Sequence, residues 1–276
     1  MQSPLFDTDL SYTYLEDLPD GQRWSTWSSV VKSAHGPEPR PDWVITDDGA
    51  IDTELGVLKT GKEADVFLVE RAVPDVTGRS SSLLAAKRYR SAEHRQFHRD
   101  SSYTEGRRVR RSRDARAMAK GTAYGRQASA GQWAQHEFAA LSSLWSAGVP
   151  VPYPVQIDGT EILMEFIDVD GAAAPRLAQT RPDLSRLRGY FDQLSEAMAV
   201  LARRGLAHGD LSPYNVLVQG DRLVIIDLPQ VLDIVGNPNG AEFLLRDCRN
   251  ICSWFVSRGL DVDADELLGE LLAQAW

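Results

Sequence analysis

Asp210, Asn215 and Asp227 are the residues whose types and spacing point most directly to chemistry. The first two lie in the polar run His208-Gly209-Asp210-Leu211-Ser212-Pro213-Tyr214-Asn215, and the third closes Val224-Ile225-Ile226-Asp227. Phosphoryl transfer from a nucleoside triphosphate asks a protein for positioning and charge rather than covalent chemistry. Asp210 offers a proton acceptor for an attacking hydroxyl or water. Asn215 and Asp227 offer hard oxygen ligands that suit magnesium, with manganese as a substitute. Strand-like Val216-Leu217-Val218 follows Asn215 at once, so a hairpin would bring all three residues together.

Two upstream residues extend this set. Lys87 ends the apolar run Leu83-Leu84-Ala85-Ala86, and Glu137 lies on the next predicted helix, where a carboxylate could hold that ammonium beside nucleotide phosphates. Each assignment is weak alone, since a lysine at a strand end is usually only solvated. In order with Asp210, Asn215 and Asp227, the pair is specific. Thr60-Gly61-Lys62-Glu63-Ala64 sits at a glycine turn where a nucleotide-covering loop would lie, and backbone N–H groups around Gly61 could contact phosphates. It has one glycine where G-x-G-x-x-G has three, and in isolation it reads as an ordinary hairpin turn. Met164-Glu165-Phe166-Ile167 closes a later strand where two lobes should meet. An adenine ring could sit there between apolar walls and bond the backbone, which makes Met164, Glu165 and Ile167 nucleotide-contact candidates. For Met164, core packing is an equally good reading.

The elements that must position these groups follow from periodicity. Leu55 to Glu70 alternates around the glycine turn as a hairpin, Leu83 to Tyr89 reads as a third strand, and Val155–Ile157 and Ile162–Ile167 as two more. Between them, Trp133, Ala134, Phe138, Leu141, Leu144 and Trp145 mark one face of a helix that ends at Gly148 and the prolines beyond it. Farther along the chain the pattern turns helical, at 184–204, 242–256 and 264–275. Near the start, Trp24, Trp27, Val30 and Val31 fall at helical spacing and predict an amphipathic helix that docks on the body. The expected architecture is α+β and two-lobed: an extension over residues 1–50, an antiparallel five-stranded lobe with one main helix over 51–167, and a shortened, mostly helical lobe over 168–276.

Composition narrows the class. The chain has 276 residues, 43% of them hydrophobic, enough for a substantial core. Its apolar runs are strand-sized, far short of the roughly 20 residues needed to span a bilayer, and the first residues do not look like a secretory signal, so no membrane and a cytoplasmic location are expected. Cys248 and Cys252 are the only cysteines and read as buried thiols. The net charge of -9 is uneven: residues 88–126 carry 11 arginines and Lys120 against four acidic residues, a local +8 in a body of -17. This basic segment, spanning about 90–130, has no clear period. It is suited to attract polyanions such as RNA phosphates, although a solvated loop, or one folded over the protein's own nucleotide, reads as well.

The motifs together resemble the RIO-type atypical serine/threonine protein kinases. The matching segments are Thr60 through Val66, Trp133 through Phe138, His208 through Asn215, Ile225-Ile226-Asp227 and Ala241-Glu242-Phe243-Leu244 with Arg246-Asp247-Cys248. The long basic segment between Lys87 and Glu137 is most similar to that of the first RIO subfamily. The resemblance implies a kinase-like fold and binding of ATP with magnesium. Lys87 and Glu137 would position phosphates, Asp210 would be the catalytic aspartate, and Asn215 and Asp227 the metal ligands, with Asp227 also a candidate phosphoryl acceptor. Pro213, where the family commonly has an acidic residue, and Leu228-Pro229 depart from its pattern without removing a catalytic group.

No Asp-Phe-Gly or Ala-Pro-Glu element follows Asp227, which argues against the usual grip on an extended peptide and favours self-phosphorylation or an ATPase cycle tied to a partner. The implied partners are ATP, a protein substrate including the chain itself, and ribosomal RNA or a ribosome precursor met through the basic segment. Two other readings share the catalytic loop: a small-molecule phosphotransferase of the aminoglycoside or choline kinase type, and a kinase-fold module that only binds RNA or ribosomal particles.

Overall fold

The computed structural model describes residues 18–74, 80–90 and 123–275; most of the basic segment at 90–130, with its predicted RNA contacts, lies outside them. Strands β1 (Gln22–Trp24), β2 (Ile51–Thr60), β3 (Ala64–Val73) and β4 (Ser80–Tyr89) precede helix α1 (Ala123–Ser146), and β5 (Pro154–Asp158) and β6 (Glu161–Glu165) follow it. They form one antiparallel sheet of six strands in the order β1-β2-β3-β4-β6-β5. The second lobe holds the ribbon β7 (Asp168–Val169) with β8 (Ala172–Ala173), then helix α2 (Leu184–Arg203), β9 (Leu206–Ala207), β10 (Val216–Gln219), β11 (Arg222–Ile225) and β12 (Leu232–Asp233). Helices α3 (Gly240–Val256) and α4 (Ala264–Ala275) complete it. This is the expected α+β, two-lobed, kinase-like architecture, with a mostly helical second lobe.

Away from β2, whose residues 54–60 are exposed, the sheet is covered on both faces, which explains its alternation. On one face Val69, Leu84, Ala86 and Leu163 pack with Trp27, Tyr153 and Val155. On the other, Tyr89, Ile157 and Ile162 meet Ala134, Phe138 and Leu141 of α1. Because side chains alternate along a strand, Ala86 and its neighbour Lys87 point to opposite faces, and Lys87 turns toward α1 and the cleft. Arg71, almost wholly buried, donates to both oxygens of Asp52 at 2.7 and 2.9 Å and to Gln156 Oε1 at 2.9 Å, tying β2, β3 and β5 together.

Two expectations need correction. The stretch holding Trp24, Trp27, Val30 and Val31 is not an amphipathic helix. Gln22–Trp24 pairs with β2 as a sixth strand, and only the single 3-10 turn Lys32–Ala34 follows. The physical reason is that the four residues share no buried face: Trp27 is 7% exposed but Val31 is 70% exposed. Trp27 instead stacks on His35, with ring centroids 3.9 Å apart, while Tyr153 Oη donates to the Pro37 carbonyl, so this segment lies against the sheet as an extended strap. The sheet therefore has six strands rather than five.

The helices follow the sequence more closely. Gly148, at φ +80°, turns the chain out of α1, and Asp183 caps α2 by accepting from the Arg186 N–H at 2.8 Å. Cys248 and Cys252 are buried free thiols on α3. One residue breaks the apolar stripe of α3. Among Phe243, Leu244, Cys248, Ile251 and Phe255, the carboxylate of Asp247 is equally buried.

Candidate active site

The antiparallel register Val216↔Ile225 sets Asn215 beside Ile226, and the Ile226 N–H donates to the Asn215 carbonyl at 2.9 Å. The β10–β11 hairpin thus brings Asn215 and Asp227 together as their spacing predicts. Asp227 adopts φ +67°, a left-handed conformation that aspartate tolerates better than most residues.

Across the cleft, the Lys87 ammonium donates to Glu137 Oε1 at 2.6 Å and to Asp227 Oδ1 at 2.9 Å. Burial works against the charge on Lys87, but Glu137 and Asp227 outweigh it and hold its pKa above the ordinary lysine value. Burial likewise pushes the Asp227 carboxyl upward, and Lys87 overrides it, so the group lies below the usual aspartate value. Glu137 is 2% exposed and serves more than the lysine: Oε2 accepts from the Tyr89 hydroxyl, and Oε1 also accepts from the Leu228 N–H at 3.2 Å. Burial, then Glu137, raises the Tyr89 pKa and keeps the phenol a donor. One carboxylate on α1 therefore fixes β4 and the chain just after Asp227.

The loop carrying Asp210 is held by its backbone. Asp247 accepts from the Gly209 N–H through Oδ2 and from the Leu211 N–H through Oδ1, both at 2.8 Å. The Gly209 carbonyl accepts from Arg246, the Asp210 carbonyl from Asn215 Nδ2 at 2.9 Å, and the Leu211 carbonyl from Asn250 Nδ2 at 3.0 Å. His208 accepts from the Asp210 N–H through Nδ1 and donates through Nε2 to the Ile226 carbonyl, the pattern of a neutral imidazole. Burial lowers its pKa and favours that form. Gly209, at φ +82°, is required, because a Cβ there would lie 2.7 Å from the Gln230 carbonyl. Every backbone polar group from 209 to 211 is thereby engaged. The Asp210 side chain is exposed and accepts no hydrogen bond among the described residues.

Other sequence candidates sit differently. The Gly61 N–H donates to the Ala64 carbonyl at 3.0 Å and closes the turn on itself, so it is not presented to a ligand. Asp65, which Arg90 hydrogen-bonds and holds below the usual carboxylate value, clips the turn from outside. Lys62 is exposed at its tip, and Thr60 and Glu63 flank it. Met164 packs partly against the core, Glu165 accepts from the Tyr153 N–H at 3.0 Å, and Ile167 packs with Ala174 and Val224. These three shape the wall between the lobes; their side chains are spent on the protein itself. The groups that went unassigned in the sequence are Tyr89, Arg246, Asp247 and Asn250. Asp247 left the clearest signal, a charge on an apolar helical stripe.

The donor set fits a magnesium nucleotide. Asn215 spends its Nδ2 on Asp210 and leaves its oxygen without a donor, and Asp227 Oδ2 is likewise unbonded among the described residues. No cluster of three or more His, Cys, Asp or Glu suited to a metal occurs among them. One carboxylate and one amide oxygen complete a magnesium shell only with water and phosphate oxygens, which is how magnesium is usually held beside nucleotides.

A family model described as the RIO domain matches residues 75–267. RIO-type serine/threonine-protein kinase Rio1 of Haloferax volcanii is 36% identical over 223 residues, covering 81% of this chain and 70% of that protein. Serine/threonine-protein kinase RIO3 of Caenorhabditis elegans is 30% identical over 222 residues, and this chain spans 39% of its length; for human serine/threonine-protein kinase RIO1 the figures are 30% over 218 residues and 34%. Among solved structures, the Rio2 kinase of Chaetomium thermophilum, in complex with ADP, magnesium and phosphoaspartate, superposes with a TM-score of 0.53 at 23% identity. That match covers 80% of this chain and 62% of the other.

Proposed function

The chain belongs to the RIO domain family, and from that premise we propose that its cleft binds ATP with magnesium and acts as a serine/threonine kinase or ATPase that phosphorylates itself. The observation that carries this reading is the Lys87–Glu137–Asp227 cluster, together with an exposed Asp210 whose backbone is held by the loop around it. Lys87 takes the place of a phosphate clamp whose charge is secured by two carboxylates. Asn215 and Asp227 would hold magnesium, which supplies charge neutralisation for the phosphate oxygens. Asp210 accepts the proton of the attacking hydroxyl or water, and the hydrogen-bonded backbone at 209–211 holds its position in the loop.

The acceptor is traced by single-turnover incubation with γ-labelled ATP and magnesium. Acid-stable label on the protein marks serine or threonine, hydroxylamine-labile label marks an acyl phosphate on Asp227, and free phosphate marks ATPase output. Absence of all three, or full activity in Asp210→Ala, sinks the reading. The cytoplasmic setting and a ribosomal RNA or ribosome-precursor partner belong to the same proposal. The support for that partner is the +8 charge of residues 88–126; among the described residues no helix is long and apolar enough to cross a membrane. Deleting residues 101–120 is expected to weaken association with ribosomal particles and flatten its salt dependence; unchanged association removes that partner.

A further inference from the structure

Two cations that the family-level assignment leaves unused lie within electrostatic reach of each other, one on each lobe. Lys59 pairs with Val66 on β3, and Val66 pairs with Lys87 on β4, so the three side chains form one cross-strand row on the same face of the sheet. Lys59 therefore projects toward the cleft side, two strands from Lys87, at the end of β2 just before the Thr60–Ala64 turn. From the other lobe, Arg176 donates to the Tyr214 carbonyl, immediately before the metal-ligand candidate Asn215, and is bridged to Leu217 of β10. Its guanidinium is thus anchored beside the catalytic loop.

The Lys59 ammonium lies within electrostatic reach of Asp227, Arg176, Lys87 and Glu137. Loss of hydration is the largest influence on it and lowers its pKa; Arg176 and Lys87 push the same way, while Asp227 and Glu137 oppose them. Among the described residues Lys59 forms no salt bridge, and Arg176 has no carboxylate partner. Neither cation is neutralised by a salt bridge of its own among the described residues, although Asp227 and Glu137 draw on Lys59, so one cation on each lobe stays available to an incoming anion.

We propose that Lys59 and Arg176 form a clamp across the cleft mouth, one cation from each lobe, that grips the phosphate chain of a bound nucleotide. This rests on the reading of the cleft as a nucleotide site. It adds a specificity element to it: affinity should grow with phosphate number through these two residues as well as through Lys87. Because the two cations belong to different lobes, the polyphosphate would also draw the lobes together.

Equilibrium binding of AMP, ADP and a non-hydrolysable ATP analogue, each with magnesium, tests the clamp on the full chain. Lys59→Gln and Arg176→Gln are each expected to lower affinity for the triphosphate analogue about fivefold to tenfold, that for ADP less, and that for AMP under about twofold. Lys59→Arg, which keeps the charge, is expected to retain most of the affinity and so separates charge from folding effects. Equal losses for all three nucleotides, or no loss, overturn the clamp while leaving nucleotide binding intact. If the wild-type chain binds none of the three, the nucleotide reading itself falls.

Discussion

Asp247→Asn is the substitution that most directly probes how Asp210 is held. The wild-type carboxylate accepts two backbone N–H groups, one on each oxygen. An amide keeps the shape but replaces one acceptor with a donor, so either the Gly209 or the Leu211 N–H is left facing an NH2 group in a buried site. One such unsatisfied donor costs about 2 kcal/mol. For a chain of this size that corresponds to a fall in Tm of roughly 4–8 °C. A loop displaced by a fraction of an ångström should also slow turnover by about tenfold to a hundredfold. Nucleotide affinity should stay within about threefold, because Lys87 and Asp227 are untouched.

The pH dependence gives a second handle. Burial pushes the Asp247 carboxyl up to about 7 from an ordinary 3.8, against the pull of the Gly209 and Leu211 N–H donors. A carboxyl whose pKa is higher in the folded state favours folding when protonated. Its contribution is complete below about 4 and is lost as pH rises through about 7. The asparagine variant carries no such proton, so the Tm gap between wild type and variant should narrow from pH 5 to pH 8. Differential scanning fluorimetry across that range, paired with ATP turnover, measures both effects. A Tm loss with unchanged turnover would refute the positioning argument, and a gap that widens with pH would refute the assigned burial effect.

Tyr89→Phe removes one of three hydrogen bonds to buried Glu137; a loss of about 1.5–3 kcal/mol in urea unfolding is expected, with weakened nucleotide affinity as the lysine clamp loosens. Gly209→Ala must hold φ +82° and place a Cβ 2.7 Å from the Gln230 carbonyl, so destabilisation of at least about 2 kcal/mol should appear in the same assay. Arg71→Met strands Asp52 in the sheet lobe. Arg23 Nε at 3.7 Å offers partial relief, which places the expected cost near 3 kcal/mol, read as a lowered urea midpoint.

The legibility of this chain follows the range of its interactions. Helices α2, α3 and α4 and the Leu55–Glu70 hairpin are set by local periodicity and appear close to where the residues place them. Of the residues singled out by type, Lys87, Glu137 and Asp227 meet in one ion-paired cluster, and Asn215 lies beside Ile226 at the foot of the hairpin that carries Asp227. The strap at Trp24–Val31 misled because aromatic spacing at helical intervals says nothing of a sheet edge waiting at Ile51–Thr53 to pair with it. Asp247 and Tyr89 act through contacts 36–38 and 48 residues away along the chain, a separation that no local pattern encodes. Gly61 reads as a phosphate-facing turn only until the N–H is traced to Ala64.

The catalytic loop divides its labour unusually cleanly between backbone and side chain. The main chain of residues 209–211 is fastened by Asp247, Arg246, Asn215, Asn250 and His208, while the Asp210 carboxylate reaches solvent without a protein partner. Folding quality control therefore has no hold on Asp210, the residue proposed to accept the proton in transfer. A change at 210 would leave a protein that folds, accumulates and still docks its nucleotide, silent in every respect but turnover. An inactive scaffold lies one substitution from the active enzyme, and only selection on the chemistry itself keeps the two apart.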